Sequence, residues 1–187
     1  MQYLRWIFSF VGFPLGGWVA FLLVGSANSP LAAAAAGAIA GTAIGAAQWL
    51  ALRPAVSPAW IAAGTGGMGL GSAAAALTTG STTTVPGLAL TGAIAGAAVG
   101  LGQGMVFRRG WRVAALWAVT VSGAWALGWV VTANVIVDAD SGYVCFGSSG
   151  ALVVTAITGL VLHRLLGCRG TVAVSPAADA AAAGAQR

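Results

Sequence analysis

Two glutamines at matching positions in two similar segments are the residues best suited to chemistry in this chain. Gln48 and Gln103 each precede an arginine by five residues, Arg53 and Arg108 respectively. On an α-helix that separation places each amide roughly 7–8 Å deeper than its arginine. An unsatisfied amide in hydrocarbon is strongly disfavoured, so each glutamine needs a partner. Two interpretations are open: a polar pair lining a small cavity or solute path, or hydrogen bonds that join helices near the membrane interface, which we favour.

The other reactive side chains are isolated from one another. His163 is the only histidine and has no companion metal ligand. Asp138 and Asp140 lack the glycine and glutamate of a calcium loop, so we interpret them as a solvated turn. Cys145 and Cys168 are too few for a disulfide framework or a zinc site. The sequence therefore predicts no catalytic residues, no metal and no cofactor, and we expect the protein not to be an enzyme.

The composition places the chain in a lipid bilayer. Of its 187 residues, 59% are hydrophobic and 6% are charged, which is outside the range of soluble globular domains. The eight basic residues are all arginines, and they are scattered between apolar segments rather than gathered on one basic face. We interpret the arginines as signals of membrane topology and predict no nucleic-acid partner.

A glycine-rich segment occurs twice. Residues 37–53 read GAIAGTAIGAAQWLALR, residues 92–108 read GAIAGAAVGLGQGMVFR, and an eroded third copy covers residues 148–164. Glycines spaced four apart lie on one face of a helix, where they let the backbone of another helix approach closely. The predicted helix-packing residues are Gly37, Gly41, Gly45, Gly92, Gly96 and Gly100.

The copies belong to a longer internal repeat. Trp6, Trp60 and Trp117 each begin an apolar segment, and each precedes by 47, 48 or 47 residues an arginine that ends a second one. We predict an all-α membrane protein whose six transmembrane helices form three tandem helical hairpins of about 55 residues, with repeats at 4–53, 60–108 and 114–164. These fill a domain at 1–170, and residues 171–187 form a disordered cytoplasmic tail. The glycine-rich helix at 60–79 should lie inside the bundle.

The tryptophans and the first apolar run each allow two interpretations. We expect the tryptophans that cluster at one end of the spans to form an interfacial belt rather than a ligand box; they are Trp6, Trp49, Trp60, Trp111 and Trp117. The run that ends at Val24 is either a cleaved signal peptide or a retained helix. Its length and its place in the repeat favour the retained helix.

The arginines orient the six predicted helices. All fall before the first span, after an even-numbered span, or in the tail, so they share one side. The positive-inside rule makes that side cytoplasmic and predicts a multi-pass protein of the inner (plasma) membrane with both termini in the cytoplasm. The residues that set this topology are Arg5, Arg53, Arg108, Arg109, Arg112 and Arg164.

The element GxxxGxxQWLxLR, followed by a helix that begins with tryptophan, resembles a group of uncharacterised bacterial multi-pass membrane proteins that repeat this unit. The resemblance covers most of the chain except the tail, and it is weaker in the second copy, where Gly104 replaces the tryptophan. It implies the repeat architecture and no particular activity. The residues that carry it are Gly37, Gly41, Gly45, Gln48, Trp49, Leu52 and Arg53.

Two classes of function fit these observations. The first is a non-enzymatic membrane protein that acts through glycine-mediated helix packing, as a subunit of a larger complex or as a self-associating scaffold. Its partners are the lipid bilayer and either another membrane protein or a second copy of itself. The alternative is a transporter or channel for a small neutral or apolar solute, with its path near Gln48 and Gln103. We favour the first class.

Overall fold

A computed structural model describes residues 2–80, 82–135 and 147–167, and within these ranges the chain forms helices and turns without strands. The predicted acidic loop, both cysteines and the predicted tail lie outside the described residues. A short 3-10 turn, Ser9–Val11, separates the first two helices. The helices are α1 (Gln2–Phe8), α2 (Gly12–Val24), α3 (Pro30–Leu52), α4 (Ala59–Thr79), α5 (Val85–Val106), α6 (Trp111–Val135) and α7 (Ser148–Gly167).

Local side-chain chemistry determines where these helices begin and end. The Ser29 hydroxyl accepts a hydrogen bond from the backbone N–H of Ala32 at 3.2 Å and caps α3. Thr84 caps α5 in the same way through the N–H of Gly87, at 3.3 Å. Helix α4 ends at Gly80, whose φ of 61° is in the left-handed region that glycine adopts without strain. Local capping thus accounts for the starts of α3 and α5 and for the end of α4.

Within the part of the chain that the structure describes, five segments are long and apolar enough to cross a membrane. They are Tyr3–Val24, Pro30–Leu52, Val85–Val106, Trp111–Val135 and Ser148–Leu166. Helix α4 is not among them, because its five glycines and its serine and threonine residues lower its mean hydropathy. The chain thus has the all-helical, apolar construction of an integral membrane protein, whereas the sixth span and the three-hairpin repeat stay predictions.

The helices are arranged as a closed ring in chain order. Each helix packs against the next one, and α7 returns to pack against α1 and the 3-10 turn. Helix α4 lies between α3 and α5, yet Ala62, Gly66, Leu70 and Leu77 leave a strip of it exposed on the outside of the ring. Helix α4 therefore has a neighbour on each of two sides and one exposed face, so it lies only partly inside the bundle.

The predicted packing glycines on α3 face α4. A Cβ atom added to Gly37 would lie 2.6 Å from the carbonyl oxygen of Met68, and one added to Gly45 would lie 3.2 Å from the Cα of Ile61. Distances below 3.0 Å are not seen for real Cβ atoms, so something must shift to accept even a methyl group at Gly37. The close approach of α3 to α4 therefore depends on having no side chain there.

The glycines on α5 face α6 in the same manner. A Cβ atom added to Gly96 would lie 2.8 Å from the carbonyl oxygen of Val121, and one added to Gly100 would lie 2.7 Å from the Cα of Ala118. By contrast, a Cβ atom on Gly66 of α4 would meet nothing within 4 Å. Only some of the glycines in this chain are thus required by packing.

We predict that Gly41→Leu or Gly96→Leu lowers the stability of the bundle by about 1–3 kcal/mol, because a large side chain at a close backbone contact forces the helices apart. The measurement is thermal unfolding of the purified protein in detergent. Gly66→Leu is the matched control and should melt at or above the temperature of the original protein, since leucine favours a helix over glycine. Equal melting of all three variants would contradict the packing role.

Candidate functional site

Three tryptophans meet at the centre of the ring. Trp6, Trp60 and Trp117 have ring centroids 6.1–6.5 Å apart, and each is at most 1% exposed. The predicted interfacial belt is therefore wrong for these three, although Trp111 is 76% exposed. We call the three buried residues the tryptophan triad. It closes the axis of the ring at the end where α1, α4 and α6 begin.

Each indole of the triad donates its N–H to a neighbouring helix. Trp60 Nε1 donates to Gln48 Oε1 at 3.1 Å, and Trp117 Nε1 donates to Gln103 Oε1 at 3.2 Å. The two amides are joined to each other, since Gln103 Nε2 donates to Gln48 Oε1 at 2.8 Å. Both glutamines are buried. The two predicted site residues are thus brought together as a hydrogen-bonded pair that also holds two tryptophans.

The third indole uses different acceptors. Trp6 Nε1 donates to the backbone carbonyl of Thr155 at 3.0 Å and to the hydroxyl of Thr158 at 3.2 Å. Gly159 occupies the position that matches the glutamines, and a Cβ atom there would lie 2.7 Å from Trp6 Cδ1. A glutamine does not fit at that site because the indole fills it. Sequence reasoning missed these threonines; the signal for them was a pair of hydroxyl residues one helical turn apart beside Gly159.

The described arginines lie at the same end of the ring as the triad. Arg5 Nη2 donates to the carbonyl oxygen of Leu50 at 2.8 Å, and the guanidinium of Arg109 donates to that of Leu165. These carbonyls belong to the last turns of α3 and α7, where backbone acceptors have no partner within the helix. We call this the arginine end. His163 is exposed there, and the side of the membrane on which it lies stays a prediction.

A cavity of about 480 Å³ occupies the opposite end of the ring, which we call the loop end. Helices α2 to α6 line it together with the turns after α2 and α4. Its floor is formed by Phe13, Ile44 and Trp125, and the rings of Phe13 and Trp125 are 5.4 Å apart. None of the described residues that line it carries a charge.

The glutamine pair does not line this cavity. Gln48 and Gln103 instead bond to Trp60 and Trp117, against which Phe107 packs with ring centroids 5.2 and 5.6 Å apart. A solute path lined by the glutamines stays a prediction, and this cavity does not include it. The described aromatic side chains separate the cavity from the arginine end.

Sequence reasoning did not find the cavity. Its wall on α3 consists of Ala33, Ala36, Gly37 and Ala40, which are spaced three or four residues apart and so lie on one helix face. Small residues on an inward face leave space where the opposite helices do not supply large side chains. The alanine run at the start of α3 was therefore the available signal.

Fold and site together define a compact, helical, membrane-type protein with one end closed by aromatic residues and a cavity at the other. Comparison with known proteins adds no relative to this description: no protein-family model, no curated protein and no solved structure matches the chain.

We predict that Gln48→Leu and Gln103→Leu each lower the melting temperature in detergent, by an amount that corresponds to about 0.6–2 kcal/mol for each hydrogen bond lost. Gln48→Leu leaves Trp60 Nε1 and Gln103 Nε2 without their shared acceptor, and Gln103→Leu leaves Trp117 Nε1 without one.

The double variant should lose less than the sum of the two single variants, because the bond between the amides is counted in both. Thr120→Val is the control, since the Thr120 hydroxyl bonds only to the carbonyl of Leu116 on its own helix, at 2.8 Å. Strict additivity, or a double variant that melts no lower than the original protein, would show that the amides do not hold the bundle together.

Proposed function

We propose that this protein is a non-enzymatic integral membrane protein that binds an uncharged, mainly apolar small molecule in the cavity at the loop end. The cavity is the observation that carries the proposal. Its volume of about 480 Å³ is within the range of roughly 300–1,000 Å³ that is typical of small-molecule sites. Its lining is aliphatic and aromatic with a few hydroxyl and amide groups, which is the usual composition of such sites.

The closed arginine end supports a binding protein or a carrier over an open channel. The triad and Phe107 fill the axis with aromatic rings. The three indole N–H groups of the triad are hydrogen bonded to Gln48, Gln103 and Thr158. A solute that crossed the ring would have to displace side chains that are buried and hydrogen bonded. A carrier that alternates between two arrangements avoids an open path, as many transporters do.

Six membrane spans in three hairpins fit this proposal. Helix α4 has 21 residues, enough to extend about 31 Å at 1.5 Å per residue, and α3 and α5 cover its two sides. Each indole of the triad meets an acceptor on the second helix of a neighbouring hairpin, which is the relation that a threefold repeat produces. The arginines at one end support an inner (plasma) membrane location with that end in the cytoplasm.

The scaffold or complex-subunit interpretation, which the sequence favoured, becomes the second candidate. The predicted packing glycines contact helices of the same chain: those on α3 face α4, and those on α5 face α6. A face occupied in this way is not available to a partner helix. Recovery of a stoichiometric partner protein from native membranes in mild detergent would restore that interpretation to first place.

The topology is tested by cysteine labelling in intact cells, in a background where serine replaces Cys145 and Cys168 so that neither native thiol reacts. A cysteine at Thr83, in the turn after α4, should react with a membrane-impermeant reagent added outside, whereas a cysteine at Ser57, in the turn before α4, should react only after the membrane is opened. Both side chains are exposed, so access depends on the side of the membrane alone. Reaction of both positions from the same side would mean that α4 does not cross.

The binding proposal is tested with N-phenyl-1-naphthylamine, an uncharged apolar fluorophore. Protein in lipid nanodiscs should give saturable energy transfer from tryptophan to the probe, since Trp125 and Trp129 line the cavity. Ala36→Leu combined with Ala76→Leu fills the cavity and should abolish the saturable part. Ala62→Leu makes the same change on the exposed strip of α4 and should bind normally. Equal transfer in all three proteins would place the probe in the lipid and end the proposal.

A further inference from the structure

The polar groups of the cavity are concentrated at its opening. The loop end contributes Ser26, Asn28, Thr82 and Thr83, and the last residue of α4 contributes Thr79. The Thr79 hydroxyl bonds within its own helix to the carbonyl of Ala75 at 2.9 Å. The opening therefore presents several uncharged donors and acceptors within a small area.

The deeper part of the cavity is apolar. Phe13, Ile44, Met68 and Trp125 surround its floor, and Ser72 and Thr91 supply the hydroxyl groups at intermediate depth. From Ala33 near the opening to Ile44 at the floor, α3 advances 11 residues, which corresponds to about 16 Å. The cavity is thus elongated along the axis of the ring, with a polar and an apolar end.

The absence of charge in the described lining restricts the polar part of a ligand. A carboxylate or an ammonium group needs an opposite charge or many hydrogen bonds when it leaves water. The described arginines lie at the arginine end, beyond the triad, and so none of them is available to the cavity. Hydroxyl and amide groups at the opening suit a hydroxyl or amide headgroup.

We propose that the ligand is a single-chain amphiphile with an uncharged polar headgroup, bound with its headgroup at the loop end and its hydrocarbon chain directed toward the triad. This inference rests on the proposed function, since it states which small molecule the cavity takes and how it is oriented. A chain about 16 Å long extends from the opening to the floor.

The test uses two photoreactive long-chain alcohols, one with a diazirine at the end of the chain and one with a diazirine beside the hydroxyl. Protein in lipid vesicles is irradiated with each probe, and the labelled residues are identified by mass spectrometry. The chain-end probe should label Ile44 and Met68 at the floor, and the other probe should label Asn28 and Thr83 at the opening. Excess unlabelled alcohol should suppress both, and the carboxylate analogue should compete about tenfold or more weakly.

The cavity-filling variant, Ala36→Leu with Ala76→Leu, should lose this labelling, and Ala62→Leu should retain it. A reversed pattern, or equal competition by the carboxylate, would overturn the inference while leaving the binding proposal in place, provided the uncharged fluorophore still binds saturably. Labelling that Ala36→Leu with Ala76→Leu does not reduce would also overturn it. If the unmodified protein shows neither the labelling nor saturable fluorophore binding, both the inference and the proposed function are rejected.

Discussion

The ring of helices depends on the acceptors that hold the three indole N–H groups of the tryptophan triad. Inside a membrane no water satisfies a buried N–H, so an acceptor within the protein stabilises it. Trp60 and Trp117 use the side chains of Gln48 and Gln103, whereas Trp6 uses Thr155 and Thr158. These bonds join neighbouring helices of the ring: α4 to α3, α6 to α5, and α1 to α7. The hydrogen bonds of the three indoles therefore join the helices into a ring at the arginine end.

Glycine and alanine then determine how closely the helices approach at each level. Where Gly41 faces α4 and Gly96 faces α6, backbones are in contact and no side chain intervenes. Where Ala33, Ala36 and Ala40 face the axis at the loop end, the same small residues leave the centre empty. Small side chains thus have opposite effects: between two helices they remove space, and toward the axis of a ring they create it.

The sequence was sufficient for the helices and for the glutamine pair, but not for the centre of the ring. Helix starts follow from local caps such as Ser29 and Thr84, which are readable residue by residue. Gln48 and Gln103 were predicted to need partners, and they contact each other. Burial of Trp6 depends instead on which way a side chain faces once the helices have closed the ring, and its acceptors lie about 150 positions away. The cavity was missed for the same reason, since empty space is a property of the assembled ring.

The two ends of the ring therefore differ in how tightly the helices are joined. At the arginine end, buried aromatic contacts, shared hydrogen bonds and arginine caps on helix carbonyls all join neighbouring helices, so movement of one helix disturbs several interactions at once. At the loop end, α3 to α5 pack through glycines such as Gly37, and hydroxyl pairs such as Thr79 with Thr91, 3.5 Å apart, lie beside an open centre. Local opening is drawn from the part of a structure with fewer buried contacts. If the proposed ligand binds, adjustment to it is therefore expected at the loop end, while the tryptophan triad holds the helices together.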